Sequence, residues 1–188
     1  MERLKVAILV ALVTALLGTM GFFLTKDSFI ADHTSEETML ELKTNQKAPE
    51  DTLEKNKYTK VNRLIDQYYE EKAGTQQFAE GYQDIAVYTM PAEAAGDYIA
   101  YVTYKMEIKD VDTLLPGMET FYIEASGTDT YEIADVSANQ TIQDEISTAS
   151  QKEEVRELIQ SVEDSYIEAK ENDPTLAASL DELKKAYQ

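Results

Sequence analysis

Alternation of apolar and polar residues dominates the middle of the chain. In residues 96–110 every second side chain is apolar or aromatic, while Thr103, Lys105, Glu107 and Lys109 fall on the opposite side. Runs at 82–90, 118–126 and 131–136 are strand-like as well, and Gly/Pro/Asp-rich turns separate them. A period of two is typical of a strand with one face in the core. The pattern predicts a four-stranded antiparallel meander whose second face is mostly in water.

Helical periodicity flanks this sheet. Residues 58–74 place apolar side chains, and with them Lys72, at i, i+3 and i+4, and Gly74 follows as a natural cap. We expect this helix to cross the apolar sheet face. After residue 137, a short helix at 141–148 and two longer ones follow. Their predicted starts are a capping box of Ser150 with Glu153 and the pair Asp173–Pro174. The last two helices are predicted to form a hairpin on the sheet or on itself.

The first residues predict where the protein resides. An uncharged stretch, Val6 to Thr25, is long enough as a helix to cross a hydrocarbon layer of about 30 Å. Arg3 and Lys5 precede it and acidic residues soon follow, so the amino terminus should stay in the cytoplasm. A cleaved signal peptide is the competing interpretation, but no Ala-x-Ala site follows. We expect a single-pass membrane protein with an extracytoplasmic domain.

The predicted organisation therefore has four parts. They are a transmembrane anchor at 1–25, an acidic and polar tether at 26–57, an α+β domain at 58–136 and a helical extension at 137–188.

Composition excludes several classes of function. The net charge of −19 disfavours nucleic acid, since that affinity depends on Lys and Arg contacts to phosphate. Without cysteine there is no disulfide framework and no thiolate zinc site. The one histidine, His33, falls in the predicted tether, so the commonest general base is missing from the predicted domain. We expect no cofactor and no bound metal.

Two carboxylates between predicted strands are candidates for chemistry. Asp110 and Asp112 are one residue apart, a spacing found in calcium loops and aspartyl-phosphate enzymes. The segment that follows, Thr113 to Pro116, is mostly apolar and lacks further oxygen ligands. Aspartate also hydrogen-bonds backbone amides in turns. The sequence favours a turn over a metal site or a catalytic pair.

Tyrosine is the other candidate for ligand binding. A groove for a carbohydrate or an aromatic ligand would use side chains from the first helix and two strands, among them Tyr68, Tyr69, Tyr101, Tyr104 and Tyr122. Tyr101 and Tyr122 lie on the predicted outward faces and are the best candidates for a surface site. The alternative is that each ring is buried in the core with its hydroxyl in water.

Two segments carry a resemblance to a known family, the helix "VNRLIDQYYEEKAG" and the strand pair "YIAYVTYKMEIKDVDTLLPGMETFYI". They resemble membrane-anchored extracytoplasmic domains of Gram-positive bacteria. Those domains are similar to the nuclear transport factor two-like, cystatin-like superfamily. The resemblance implies a curved antiparallel sheet around an amino-terminal helix, in proteins that mostly have no assigned activity. Enzymes of that fold hold acid and base groups in an open cone between helix and sheet. The inward face of residues 98–108 has no such acid or base group.

The sequence thus predicts a non-catalytic, membrane-tethered domain that binds a protein or a cell-envelope component. The alternative is a small-ligand or enzymatic domain with a Tyr-lined pocket between helix and sheet.

Overall fold

The computed structural model describes residues 52–186, all of which fall within one compact unit. This part is an α+β domain with a five-stranded antiparallel sheet and four α-helices. Among these residues, no helix combines the length and the apolar character that crossing a membrane requires. The predicted anchor and His33 lie outside the described residues.

The sheet has its strands in chain order. They are β1 (Glu54–Lys55), β2 (Ala79–Pro91), β3 (Tyr98–Ile108), β4 (Leu115–Gly127) and β5 (Thr130–Ile133). The four predicted strands correspond to β2 through β5, and all neighbours are antiparallel. The meander is therefore confirmed, with a short additional strand at one edge.

The additional strand β1 overlaps the end of the predicted tether. Its pairing with β2 is extended by Asn56, whose amide donates to the Val87 carbonyl at 2.7 Å and whose side-chain oxygen accepts from the Val87 amide at 2.8 Å. Asn56 has φ of 52°, a left-handed conformation that Asn tolerates better than most residues. No hydrophobic pattern identifies a strand of two residues.

Helix α1 (Thr59–Ala73) lies on one face of the sheet, within one residue of its predicted limits at each end. It buries Val61, Ile65, Tyr69 and Lys72. The apolar side chains among them each stabilise the fold by roughly 1.5–3 kcal/mol through removal from water. The sheet face beneath is the predicted apolar one, with Val102 and Tyr104 of β3 both buried.

Two helices cover the opposite face, α2 (Gln140–Ala149) and α3 (Glu153–Asn172), after a 3-10 turn at Val136–Ala138. The last helix, α4 (Pro174–Ala186), packs against α3. Ile142 and Val155 join a buried cluster with Ile99 and Tyr101 of β3. The prediction that this face is mostly in water is wrong for that half of β3, because α2 and α3 cover it. Lys105, farther along the strand, is exposed.

One predicted helix start is confirmed and one is wrong. Asp173 caps α4, its carboxylate accepting from the Thr175 amide at 2.8 Å. Ser150 does not cap α3. It ends α2 instead, where its hydroxyl donates to the Ile146 carbonyl at 2.8 Å. Helix α3 begins at Glu153, and Lys152 is its N-cap residue.

Candidate functional site

Three of the tyrosines predicted to bind a ligand come together between α1 and the sheet. The Tyr69 ring lies 5.2 Å from that of Tyr104 and 5.2 Å from that of Tyr68, measured between centroids. Tyr82 of β2 joins them, 4.9 Å from Tyr69 and 5.2 Å from Tyr104. We call these four residues the tyrosine cluster. Tyr69 and Tyr104 are buried, whereas Tyr68 and Tyr82 are half-buried.

Lys72 places its ammonium group among these rings. Its Nζ lies 5.1 Å from the ring centroid of Tyr68, 5.3 Å from that of Tyr69 and 5.6 Å from that of Tyr82. These distances are within the range of cation–π attraction. The Lys72 side chain is only 5% exposed, so the rings and its ion-pair partner replace most of its water.

That partner is Glu119 of β4. Lys72 Nζ donates to Glu119 Oε1 at 2.5 Å, and the Tyr69 hydroxyl donates to Glu119 Oε2 at 2.7 Å. Both carboxylate oxygens therefore have a partner, and the side chain is 14% exposed. A buried carboxylate is tolerated when it is paired and hydrogen-bonded in this way.

The strand register brings these groups to one face. Glu119 is paired with Val102 and Gly117 with Tyr104, so all four belong to the side that faces α1. A Cβ on Gly117 would lie 2.6 Å from Tyr104 Cε2. Since no real Cβ approaches so closely, glycine at this position is what lets the Tyr104 ring lie flat across β4.

The electrostatics of the cluster follow from burial. Desolvation lowers the pKa of Lys72, and the charge of Glu119 partly opposes that shift. Desolvation and then the same carboxylate raise the pKa values of Tyr68, Tyr69 and Tyr104. At neutral pH the hydroxyls are therefore hydrogen-bond donors rather than bases. A lysine of lowered pKa is the type of amine that acts as a base or nucleophile where a substrate can reach it.

The two tyrosines predicted to be on outward faces belong to a different layer. Tyr101 and Tyr122 are buried under the carboxyl-terminal helices. The Tyr101 hydroxyl lies 3.1 Å from that of Ser150. Carboxylates of Glu145 and Asp97 flank the Tyr122 hydroxyl and, after burial, contribute to its raised pKa. The expectation that these two rings form an exposed surface is wrong, since α2 and α3 cover them.

Asp110 and Asp112 lie in an exposed turn between β3 and β4. Asp110 has φ of 62°, and the Val111 amide donates to the Ile108 carbonyl at 3.1 Å, closing the turn around it. In residues 52–186 no group of three or more acidic, histidine or cysteine side chains is placed to hold a metal ion. The geometry is that of the predicted turn.

The two charged members of this site were not among the predicted site residues. Helical spacing places Lys72 on the apolar stripe of α1, four residues after Tyr68, and a lysine on such a stripe is a signal of a buried partner. Glu119 has the same parity as Phe121 and Ile123 in β4, which places it on the inward face. The inward face of residues 98–108 has no acid or base group, because the carboxylate and the amine come from the neighbouring strand β4 and from helix α1.

A second group of tyrosines lies at the amino end of α1. The rings of Tyr58 and Tyr98 are 4.4 Å apart and those of Tyr98 and Tyr131 are 5.9 Å apart, measured between centroids. We call these three residues the tyrosine patch. All three are half-buried, so part of each residue faces solvent. The alternation in β3 places Tyr98 on the inward face but does not indicate that it meets Tyr58 and Tyr131.

Comparisons of the chain with protein-family models, with curated proteins and with solved structures find no match. The resemblance to nuclear transport factor two-like domains therefore stays a prediction.

Proposed function

We propose that this protein is a non-catalytic, membrane-tethered extracytoplasmic domain that binds a protein or a cell-envelope component. The observation that carries the proposal is the internal pairing of Lys72 and Glu119. The acid and the amine neutralise each other at 2.5 Å in a nearly closed layer. Neither is then available to a substrate, so recognition falls to the outer surface.

The membrane tether is proposed from the sequence. The stretch Val6 to Thr25 carries no charge, and basic residues precede it while acidic ones follow. We propose that this segment spans the cell membrane and that residues 52–186 lie outside the cell. Membership of the nuclear transport factor two-like superfamily, in a Gram-positive bacterium, is part of the same proposal.

One observation favours the alternative of a small-ligand or enzymatic domain. Lys72 has a lowered pKa and lies among aromatic rings and a carboxylate, a combination also found in active sites. A functional site of this kind would require the cluster to open. Structural ion pairs perturb pKa values in the same way, so the shift alone does not decide between the two functions.

The proposal is tested on intact cells that produce the full chain with a carboxyl-terminal tag. Protease added outside should remove the tag, and a membrane-impermeant lysine cross-linker should join the protein to an envelope partner. Lys60 and Lys105, about half exposed, are suitable attachment points. A tag that stays protected until the cells are lysed would contradict the topology. Recovery of the chain alone after cross-linking would contradict the binding function.

A further inference from the structure

The tyrosine patch differs from the buried tyrosine cluster in its exposure and its surroundings. Tyr58 is the residue that caps α1, Tyr98 begins β3 and Tyr131 lies in the edge strand β5. The three rings thus meet at the amino end of α1, tilted by 42° between Tyr58 and Tyr98 and by 59° between Tyr98 and Tyr131. Half-buried tyrosines offer an apolar ring and a polar hydroxyl to the same ligand.

Two ion pairs involve residues close in sequence to the members of this patch. Lys57 Nζ lies 2.5 Å from a Glu54 carboxylate oxygen, and Lys60 Nζ lies 2.9 Å from a carboxylate oxygen of Asp129. The Tyr58 hydroxyl donates to Glu54 at 3.3 Å. An ionic ligand therefore finds no unpaired charge among these residues, whereas a neutral ligand with many hydroxyls finds both donors and acceptors.

We propose that the tyrosine patch binds a neutral carbohydrate chain, with sugar rings lying against Tyr98 and its two neighbours. A β-1,4-linked chain of glucose-configured sugars suits the site because its ring substituents are equatorial, which leaves flat C–H faces to stack on aromatic rings. The paired side chains beside the rings hydrogen-bond the sugar hydroxyls. This inference rests on the proposed function and names the class of envelope component that is bound.

The test is calorimetric titration of the full chain in detergent micelles with a β-1,4-linked N-acetylglucosamine tetramer. We expect saturable binding with a Kd of about 1 mM, the weak end of the affinity scale. Tyr98→Ala should weaken it at least about tenfold, a loss typical of a central aromatic contact. Tyr131→Ala, in an edge strand where folding is less at risk, should also weaken it.

Tyr88→Ala is the matched control, because Tyr88 is also a half-buried tyrosine but lies on the other face of the sheet. Its side chain packs against the buried cluster that contains Tyr101 and Val155. This variant should leave the Kd unchanged. Absence of binding by the natural chain, or equal weakening by Tyr88→Ala and Tyr131→Ala, would overturn the inference. If the tetramer does not bind but the envelope cross-link persists, the carbohydrate site is wrong and the proposed function stands.

Discussion

Lys72 of α1 and Glu119 of β4, which are 47 residues apart in the chain, are joined by a 2.5 Å hydrogen bond. Their side chains are 5% and 14% exposed. A buried pair of this kind stabilises a fold little relative to an apolar pair, but loss of one partner leaves the other charge without compensation. The pair therefore couples α1 to β4 through two charges that depend on each other.

Replacement of one member should cost far more than replacement of both. Lys72→Met leaves the Glu119 carboxylate with only the Tyr69 hydroxyl, and we expect a loss of about 3 kcal/mol in the free energy of unfolding. The double variant Lys72→Met/Glu119→Gln should recover most of that loss. Urea unfolding of the double variant and of both single variants, Lys72→Met and Glu119→Gln, measures the coupling. Losses that simply add would show that the pair is not coupled.

Gly117→Ala should destabilise the protein by about 1–3 kcal/mol, because its Cβ would overlap the Tyr104 ring at 2.6 Å. The control is Gly74→Ala, at the end of α1, where φ is −69° and the nearest atom to a new Cβ is 3.6 Å away. That variant should be neutral or slightly stabilising. Equal midpoints of urea unfolding for Gly117→Ala and Gly74→Ala would contradict the contact between Gly117 and Tyr104.

Stability should fall as the pH rises above about 10. Burial raises the pKa values of Tyr68, Tyr69 and Tyr104, so the folded chain keeps protons that the unfolded chain has released. The folded state then binds more protons, and the free energy of unfolding decreases with pH.

Lys72 acts in the opposite direction, because its pKa is lowered and the unfolded chain binds the extra proton. The three tyrosines should outweigh this single lysine. Urea midpoints between pH 8 and 11 measure the balance, and Tyr68→Phe should reduce the fall. A midpoint that rises throughout this interval would refute the assignment of the tyrosines as buried hydroxyls.

Substitutions at Asp110 distinguish a turn from a metal site. Because its φ is 62°, Asp110→Gly should keep or increase stability, whereas Asp110→Ala should cost about 1 kcal/mol. Added Ca²⁺ should shift the urea midpoint equally in the natural chain and in Asp112→Asn. Selective stabilisation of the natural chain by Ca²⁺ would indicate that the carboxylates bind the ion.

The alternation in β3 predicted the α1 face correctly and the other face only in part. Thr103, Lys105 and Glu107 show the expected polar character, and Lys105 is exposed. Tyr98 to Val102, however, is an unbroken apolar run, which is the pattern of a strand covered on both faces. The first half of β3 is therefore apolar on both faces and the second half alternates, because α2 and α3 cover only the first half of the strand.

The charged pair was harder to predict because its members lie on different elements. Helical periodicity gives the face of Lys72 and strand parity gives the face of Glu119, but neither pattern tells which residue meets which across the layer. That depends on the position of α1 along the sheet, which is a tertiary property. The sequence therefore gives the face of each charged residue but not their pairing.

The reactivity of Lys72 toward a small acylating reagent tests most directly whether the site is closed. Mass spectrometry can compare its rate in the full chain with those of Lys60 and Lys105, whose side chains are 53% and 47% exposed. The closed pair predicts that Lys72 reacts at least about a hundredfold more slowly, its opening being a local unfolding event. A Lys72 that reacts as fast as Lys105, or faster because of its lowered pKa, would contradict the account and indicate an accessible active-site amine.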